Sequence, residues 1–364
     1  MIVQDIINQL EELAPLAYAE EFDNVGLLVG DKNTKVTGVL ITLDTLPKVV
    51  DEAITENCNL IVSFHPIIFK GLKSIAGNSY VERVVQKAIK NDIAIFAIHT
   101  ALDNAFSGVN AELCNRLELK NKSILIPQSG TIKKLTTFVP KPDVEAVKKA
   151  LFETGGGDIG NYENCSFSSD GVGTFKGNQA SNPVIGKPHE FKQLRERKIE
   201  ILFAKHLESK ILKTLFKTHP YEEVAYEIST LENKNQHIGM GMIGTLETPM
   251  DENTFLEYVK EKMKCSVIRH SKLLNKNIQK IAVLGGSGSF AIAAAKAAGA
   301  HAFVTSDLKY HDFFAAENQI LLMDIGHYES EQYTKNLLAT YLTKKIPNFA
   351  VLLSKINTNP VKYK

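Results

Sequence analysis

Cysteine is scarce in this 364-residue chain, where Cys58, Cys114, Cys165 and Cys265 are the full complement. They lie far apart and form no CxxC pair, so neither a zinc ribbon nor a disulfide framework is indicated, and a reducing compartment fits. A dominant charge is also missing. Lys and Arg number 42 against 41 Asp and Glu, so the formal net charge of +1 supplies no overall field to attract a polyanion such as DNA. Only a local basic patch would offer nucleic acid a foothold. Long apolar runs are absent too, since no stretch approaches the roughly 20 residues needed to span a bilayer. The opening Met1-Ile-Val-Gln-Asp-Ile-Ile-Asn-Gln-Leu sets an acid into an amphipathic helical pattern, without the basic flank and apolar run of a signal peptide. The expectation is a cytoplasmic protein with no membrane partner.

What is present describes an ordinary globular chain. Apolar residues make up 44% and charged residues 23%, which leaves little room for a disordered reading. The length exceeds the roughly 250 to 300 residues at which single cores stop growing, so two or three domains are expected.

The first and last thirds alternate short apolar runs with helix-spaced segments, the pattern of βα units around a largely buried sheet. In the first third, 36–43, 60–63 and 93–98 read as strands, and 47–56, 80–90 and 108–117 as helices. In the last third, 278–284, 302–305 and 319–324 read as strands, with helices at 290–298, 310–317 and, longest, about 329–343. The expected class is α/β, with two similar halves forming one discontinuous core. Between them, 136–139, 144–153, 199–204, 210–217 and 223–228, with alternating strand patterns among them, give a β-α-β-β-α-β order. An inserted α+β domain of ferredoxin-like type is the economical account, with boundaries at 1–130, 131–234 and 235–364.

Several polar segments follow predicted strands, at the edge where open α/β sheets build their sites. Ser63-Phe-His65-Pro places a histidine there, although a histidine before proline is also a common loop residue. His99-Thr-Ala-Leu-Asp103 adds a second imidazole and a carboxylate; Asp103 can cap the next helix, bind a cation, or do both. Gly326-His327-Tyr-Glu-Ser-Glu331 is the most informative spacing. Side chains at i and i+4 share a helix face, so His327 and Glu331 can reach one cation together, although such pairs also decorate solvated helices.

Thr305-Ser-Asp307-Leu-Lys309-Tyr-His311 ends another strand; Lys309 or His311 either stabilises an oxyanion and moves protons beside an activated water, or simply solvates a helix start. Gly285-Gly-Ser-Gly288 reads first as a tight strand-to-helix turn and second as an anion site, since it lacks both the GxGxxG and the P-loop endings. Glu20 to Gly30 reads as a hairpin or loop, with Asp23 and Asn24 as candidates to line a pocket. His219-Pro-Tyr-Glu-Glu223 reads as a solvated loop entering a strand rather than a second metal site.

In chain order, DNVGLLVG from Asp23, SFHPIIF from Ser63, HTALD from His99, GGSG from Gly285, TSDLKYH from Thr305 and GHYESE from Gly326 together resemble the Nif-three-like dinuclear metal-centre family. Its members are also labelled type-two homologues of GTP cyclohydrolase I. The middle, with GDIGNYENCSF from Gly157, GVGTFKG from Gly171 and HPYEEVAYEI from His219, is similar to the PII/CutA-like insert of longer members.

The resemblance implies His65, Asp103, His327 and Glu331 as metal ligands; if the protein is a metal-dependent hydrolase, Lys309, His311 and His99 are then acid/base or supporting candidates. It further implies one or two divalent ions per subunit, a homohexamer built as a trimer of dimers, and a nucleotide or other small-molecule ligand. The usual pattern carries two consecutive histidines before the proline, and this chain has Phe64 in the first place. That departure removes one imidazole and weakens the second ion position. Mixed N/O ligation suits Zn, Fe, Mn, Co or Ni without choosing among them.

Two functions from different classes follow. One is a metal-dependent hydrolase of a nucleotide or related heterocycle, for which the cyclohydrolase label suggests GTP. The other is a metal-binding regulatory or scaffolding protein whose insert senses a small molecule. Nucleic-acid binding is a third possibility, disfavoured by the near-zero net charge.

Overall fold

A computed structural model describes all residues, Met1–Lys364. The chain divides into two compact units: Met1–Pro127 with Gln236–Lys364, and Gln128–Asn235. No helix is long and apolar enough to cross a membrane.

The N-terminal part of the larger unit runs α1 (Val3–Leu13), β1 (Gly26–Val29), β2 (Val39–Thr42), α2 (Pro47–Thr55), β3 (Leu60–Ser63), α3 (Tyr80–Lys90), β4 (Ala94–Ala97), α4 (His99–Asn104), α5 (Val109–Arg116) and β5 (Lys120–Gln128). Every residue of β2, β3 and β4 is buried, as parallel strands covered on both faces require. Pro47 starts α2 at a position where its missing N–H costs nothing, and the Ser79 hydroxyl caps α3 by accepting the Glu82 N–H. Val49, Val50 and Ala53 of α2 and Val84, Val85 and Ala88 of α3 then pack on Leu40, Ile61 and Ile95 of the sheet.

The smaller unit holds β6 (Ile132–Pro140), α6 (Val144–Glu153), β7 (Phe167–Lys176), β8 (Phe191–Ala204), α7 (Glu208–Thr218) and β9 (Tyr226–Leu231). Its sheet order is β7-β8-β6-β9 with antiparallel pairing throughout, the arrangement a β-α-β-β-α-β chain adopts when both helices cover one face. Leu135, Val139, Ile199 and Ile201 meet Val147, Leu151, Ile211 and Leu215 in its core. The last strand begins at Tyr226 rather than 223, because Pro220 breaks the chain after α7 and leaves Tyr221–Glu223 in a turn.

The C-terminal part of the larger unit runs β10 (Asn235–Asp251), α8 (Glu252–Met263), β11 (Arg269–His270), β12 (Asn277–Ser287), α9 (Ile292–Ala297), β13 (Ala302–Ser306), β14 (Leu321–Asp324), α10 (His327–Glu331), α11 (Thr334–Lys345) and β15 (Val351–Leu353). Strand order is β1-β4-β3-β2-β15 in one sheet and β11-β14-β13-β12-β10-β5 in the other, so a short antiparallel edge precedes four parallel strands in the first and three in the second. The halves also exchange elements. Leu338 and Leu342 of α11 sit in the core of the first sheet with Val3, Ile6 and Leu10, while Leu113 and Cys114 of α5 sit in the second with Ile281 and Val304. Each fully buried leucine contributes about 2 kcal/mol, so this exchange binds the two ends of the chain into one body.

Two helix expectations change. The segment at 310–317 is a 3₁₀ helix, Tyr310–Ala316, whose start is tightened by the Asp312 carboxylate accepting the Lys309 N–H and whose end is set by Glu317 and Asn318 in the left-handed region. The long final helix is two helices. Between α10 and α11 the Gln332 amide donates to the Met263 carbonyl and the Tyr333 hydroxyl to the Lys262 carbonyl, anchoring the break to α8.

Candidate metal centre

Asp44, His65 and His99 follow the carboxyl ends of β2, β3 and β4, and Asp307 and His327 follow those of β13 and β14. Near the end of β12, Gly286 has φ +70°, and a Cβ there would lie 2.5 Å from Glu331 Oε1. Only glycine lets this strand approach the carboxylate so closely. The Gly285 and Gly286 N–H groups donate to Asn110 Oδ1 and Ser330 Oγ. They are committed to the fold, in the last residues of β12, and are not free to cradle an anion.

Ligand atoms of His65, His327 and Glu331 all lie within 4.8 Å of one another. His65 Nε2 and His327 Nε2 are each 3.1 Å from Glu331 Oε2, and Glu331 is only 3% exposed. On the far side of each ring an aspartate holds Nδ1: Asp44 Oδ1 at 2.8 Å for His65, and Asp307 Oδ2 at 2.6 Å for His327. Those aspartates are themselves fixed, since Thr358 donates to Asp44 and Ser287 to Asp307, both at 2.5 Å. With Nδ1–H donated to aspartate, each Nε2 presents a lone pair to an oxygen that has only lone pairs. Such an arrangement needs a proton or a cation between them.

The electrostatics agree. Burial works against charging His65, yet the Glu331 charge and the Asp44 hydrogen bond outweigh it and push its pKa up to about 10. Burial likewise opposes the charge on His327, but its bonds to Asp307 and Glu331 carry it up to about 11. Glu331 goes the other way: burial raises it, and the two imidazoles overcome this and hold it down at about 2. Asp103 is buried on α4, with Oδ1 unpartnered. Burial first, and then the Glu331 charge, raise its pKa well above the carboxylate range. The His65 and His327 charges act on it in the opposite sense. Two imidazole nitrogens and the unpartnered buried Glu331 oxygen therefore gather in one place, a donor set that fits a divalent cation, while the Asp103 carboxylate feels their charge without joining the 4.8 Å group.

The other sequence-predicted residues fall outside this group. His99 packs beside the His65 ring at 5.2 Å between centroids, and Asp23 Oδ1 holds its Nδ1 at 2.9 Å. Burial raises the Asp23 carboxyl, but the His99 and Thr100 bonds prevail and lower it to about 2. Phe64 is fully buried, edge-on to His99 at 5.5 Å. Lys309 and His311 are exposed, and no hydrogen bond or ion pair joins either side chain to His65, Asp103, His327 or Glu331. The roles of Asp44 and Asp307 were not anticipated. Their one signal is position, directly after β2 and β13. His219 in the smaller unit is buried; its Nε2 bonds the Phe138 carbonyl and its Nδ1 accepts the Tyr221 N–H, a structural arrangement.

Fold and site thus define a mixed α/β protein with a His/Glu group, its glutamate buried and its histidines partly exposed, that could hold a metal ion. The chain belongs to the Duf34/NIF3 (NGG1p interacting factor 3) family, whose sequence pattern matches residues 1–360. A Bacillus subtilis (strain 168) protein named GTP cyclohydrolase 1 type 2 homolog is 38% identical over 366 residues, covering 98% of this chain and 97% of that one. The crystal structure of a Bacillus cereus protein related to NIF3 superposes with a TM-score of 0.86 at 37% identity, covering 100% of this chain and 99% of that one. The Staphylococcus aureus protein SA1388 gives a TM-score of 0.79 at 34% identity, with the same coverage. The family resemblance read from the motif order therefore holds over the whole chain.

Proposed function

We propose that His65, Asp103, His327 and Glu331 hold a divalent metal ion, and that the protein is a metal-dependent hydrolase of a nucleotide or related heterocycle. The observation that carries the metal reading is the shared Glu331 Oε2, 3.1 Å from both Nε2 atoms whose rings are locked from behind by Asp44 and Asp307. Histidines backed by carboxylates in this way are oriented and made more basic toward a cation. An ion held there supplies a Lewis acid and lowers the pKa of water from about 16 to about 7. Beside it, His99, tethered by Asp23 and packed on the His65 ring, is a further imidazole for proton transfer.

The name of the B. subtilis relative supports GTP as the first substrate to try. Steady-state turnover of GTP and a nucleotide panel, by metal-loaded and chelator-treated protein, tests the reading. Turnover lost on chelation and restored by metal is expected. No turnover across the panel in either state would remove the hydrolase.

A second reading, a metal-binding regulatory protein, is favoured by the smaller unit, whose own sheet and core make it a self-contained module. We propose that this module is PII/CutA-like and senses a small ligand. Assembly as a homohexamer, a trimer of dimers, is part of the same proposal; sedimentation at micromolar concentration giving a monomer mass would refute it.

A further inference from the structure

Next to the candidate metal centre lies a groove of about 960 Å³ that shares Asp307 with it. Asp307 Oδ2 holds His327 Nδ1 at 2.6 Å, so Asp307 and His327 link an occupant of the groove to the proposed ion. The rest of the groove's charge is positive. Arg269 is planted by three contacts: its guanidinium stacks 5.2 Å over Phe313, Nη2 donates to the Leu308 carbonyl, and Nη1 is 3.5 Å from Asp324 Oδ2. Its side chain is still 56% exposed. Lys309 lines the groove with its ammonium in no ion pair, and His270 bonds the Ser271 carbonyl through Nδ1, leaving Nε2 without a partner. Asp307 is the one carboxylate lining the groove, and His327 and Ser287 already engage it.

Beside these cations stands an aromatic surface. Tyr310 is 74% exposed on the groove, braced edge-on by His311 at 5.2 Å and by Phe314 at 5.5 Å. Phe314 is itself 64% exposed. A ring held rigid by its neighbours but left open to solvent is a stacking platform without its partner. Exposed cations next to such a platform match a ligand with a planar ring at one end and oxyanions at the other.

We propose that this groove binds a nucleoside phosphate, with its phosphates on Lys309, Arg269 and His270 and its base against Tyr310. The inference deepens the hydrolase reading and rests on it for the groove's purpose beside the metal. It gives Lys309 a part in holding substrate rather than in moving protons, adds its neighbour Tyr310 to that part, and enlists Arg269 and His270, which no strand-end motif announces.

Calorimetric titration of the full-length protein as purified, with GTP, guanosine and inorganic triphosphate in parallel, tests it. GTP is expected to bind tightest. Lys309→Ala should weaken GTP about tenfold and leave guanosine unchanged, while Tyr310→Ala should weaken both GTP and guanosine about five- to tenfold. Lys309→Arg and Tyr310→Phe, which keep charge and ring, should restore most of the binding. Both positions are exposed, so these variants should fold; circular dichroism checks that they do. GTP affinity that survives both alanine variants but vanishes on chelation would put the nucleotide on the ion alone and overturn the proposal, as would no binding of GTP at millimolar concentration. The two readings fail separately. Lys309-dependent GTP binding without turnover removes the hydrolase and keeps the groove, whereas turnover with an unchanged KM in both alanine variants removes the groove and keeps the hydrolase.

Discussion

Both halves of the larger unit place a histidine just after the last of three parallel strands, and an acid four residues on: His99 with Asp103, and His327 with Glu331. In both, an aspartate from elsewhere in the same half holds the histidine's Nδ1, Asp23 for His99 and Asp307 for His327. The halves then diverge. His327 faces the shared carboxylate of Glu331, but in the N-terminal half that place is taken by His65, from the strand before, and His99 lies against the buried ring of Phe64. A repeated fold thus supplies equivalent positions that are filled differently, with His65 and His327 on Glu331 and His99 held by Asp23 beside Phe64.

The comparison breaks most completely if the two acids are not equivalent partners of one ion. Glu331→Ala and Asp103→Ala are each expected to abolish metal retention through dialysis, read by elemental analysis of the recovered protein. Retention by either variant would remove that acid from the site. The aspartates behind the rings come next. Asp44→Asn and Asp307→Asn should each weaken metal affinity about 10- to 100-fold, whereas Asp23→Asn should change it less than about twofold. An equal loss on altering Asp23 would make His99 a ligand and restore symmetry between the halves.

Protonation gives a third test. In the metal-free protein the pKa values of His65 and His327 are raised to about 10 and about 11, so at pH 7 both carry protons that a cation must displace. Affinity should therefore climb by about two log units per pH unit above neutrality and level off only as those values are passed. Calorimetry in buffers of different ionisation heat should find at least two protons released at pH 7.5, and release of fewer than one would contradict the lone-pair geometry.

Smaller effects sharpen the contrast. Phe64→His is expected to raise the number of ions bound per chain, at a stability cost of about 3 kcal/mol for replacing a fully buried ring with a polar one. Unchanged stoichiometry would show that Phe64 is not what limits it. His219→Ala should leave metal content untouched while lowering the melting temperature, because it deletes two buried hydrogen bonds worth about 1 kcal/mol each.

Much of this was legible in the sequence where local chemistry suffices. Unbroken apolar runs marked β3, β4, β13 and β14, and polar residues just past them marked the edge where His65, His327 and Glu331 gather. What escaped depends on distant partners. The break between α10 and α11 is set by the Met263 and Lys262 carbonyls, about 70 positions back, so local spacing read one helix. Asp44 acquires its role from His65, 21 positions on, and Arg269 sits in a two-residue strand with no periodicity to read. Lys309 stood out through its motif, but its side chain lies outside the cluster the motif suggested.

The most direct test is a crystal structure of metal-loaded protein with anomalous scattering at the metal edge. A peak about 2.0 to 2.2 Å from His65 Nε2, His327 Nε2, Glu331 Oε2 and Asp103 Oδ1 is the predicted result. A peak coordinated by other residues, or these four side chains turned apart with no ion between them, would contradict it.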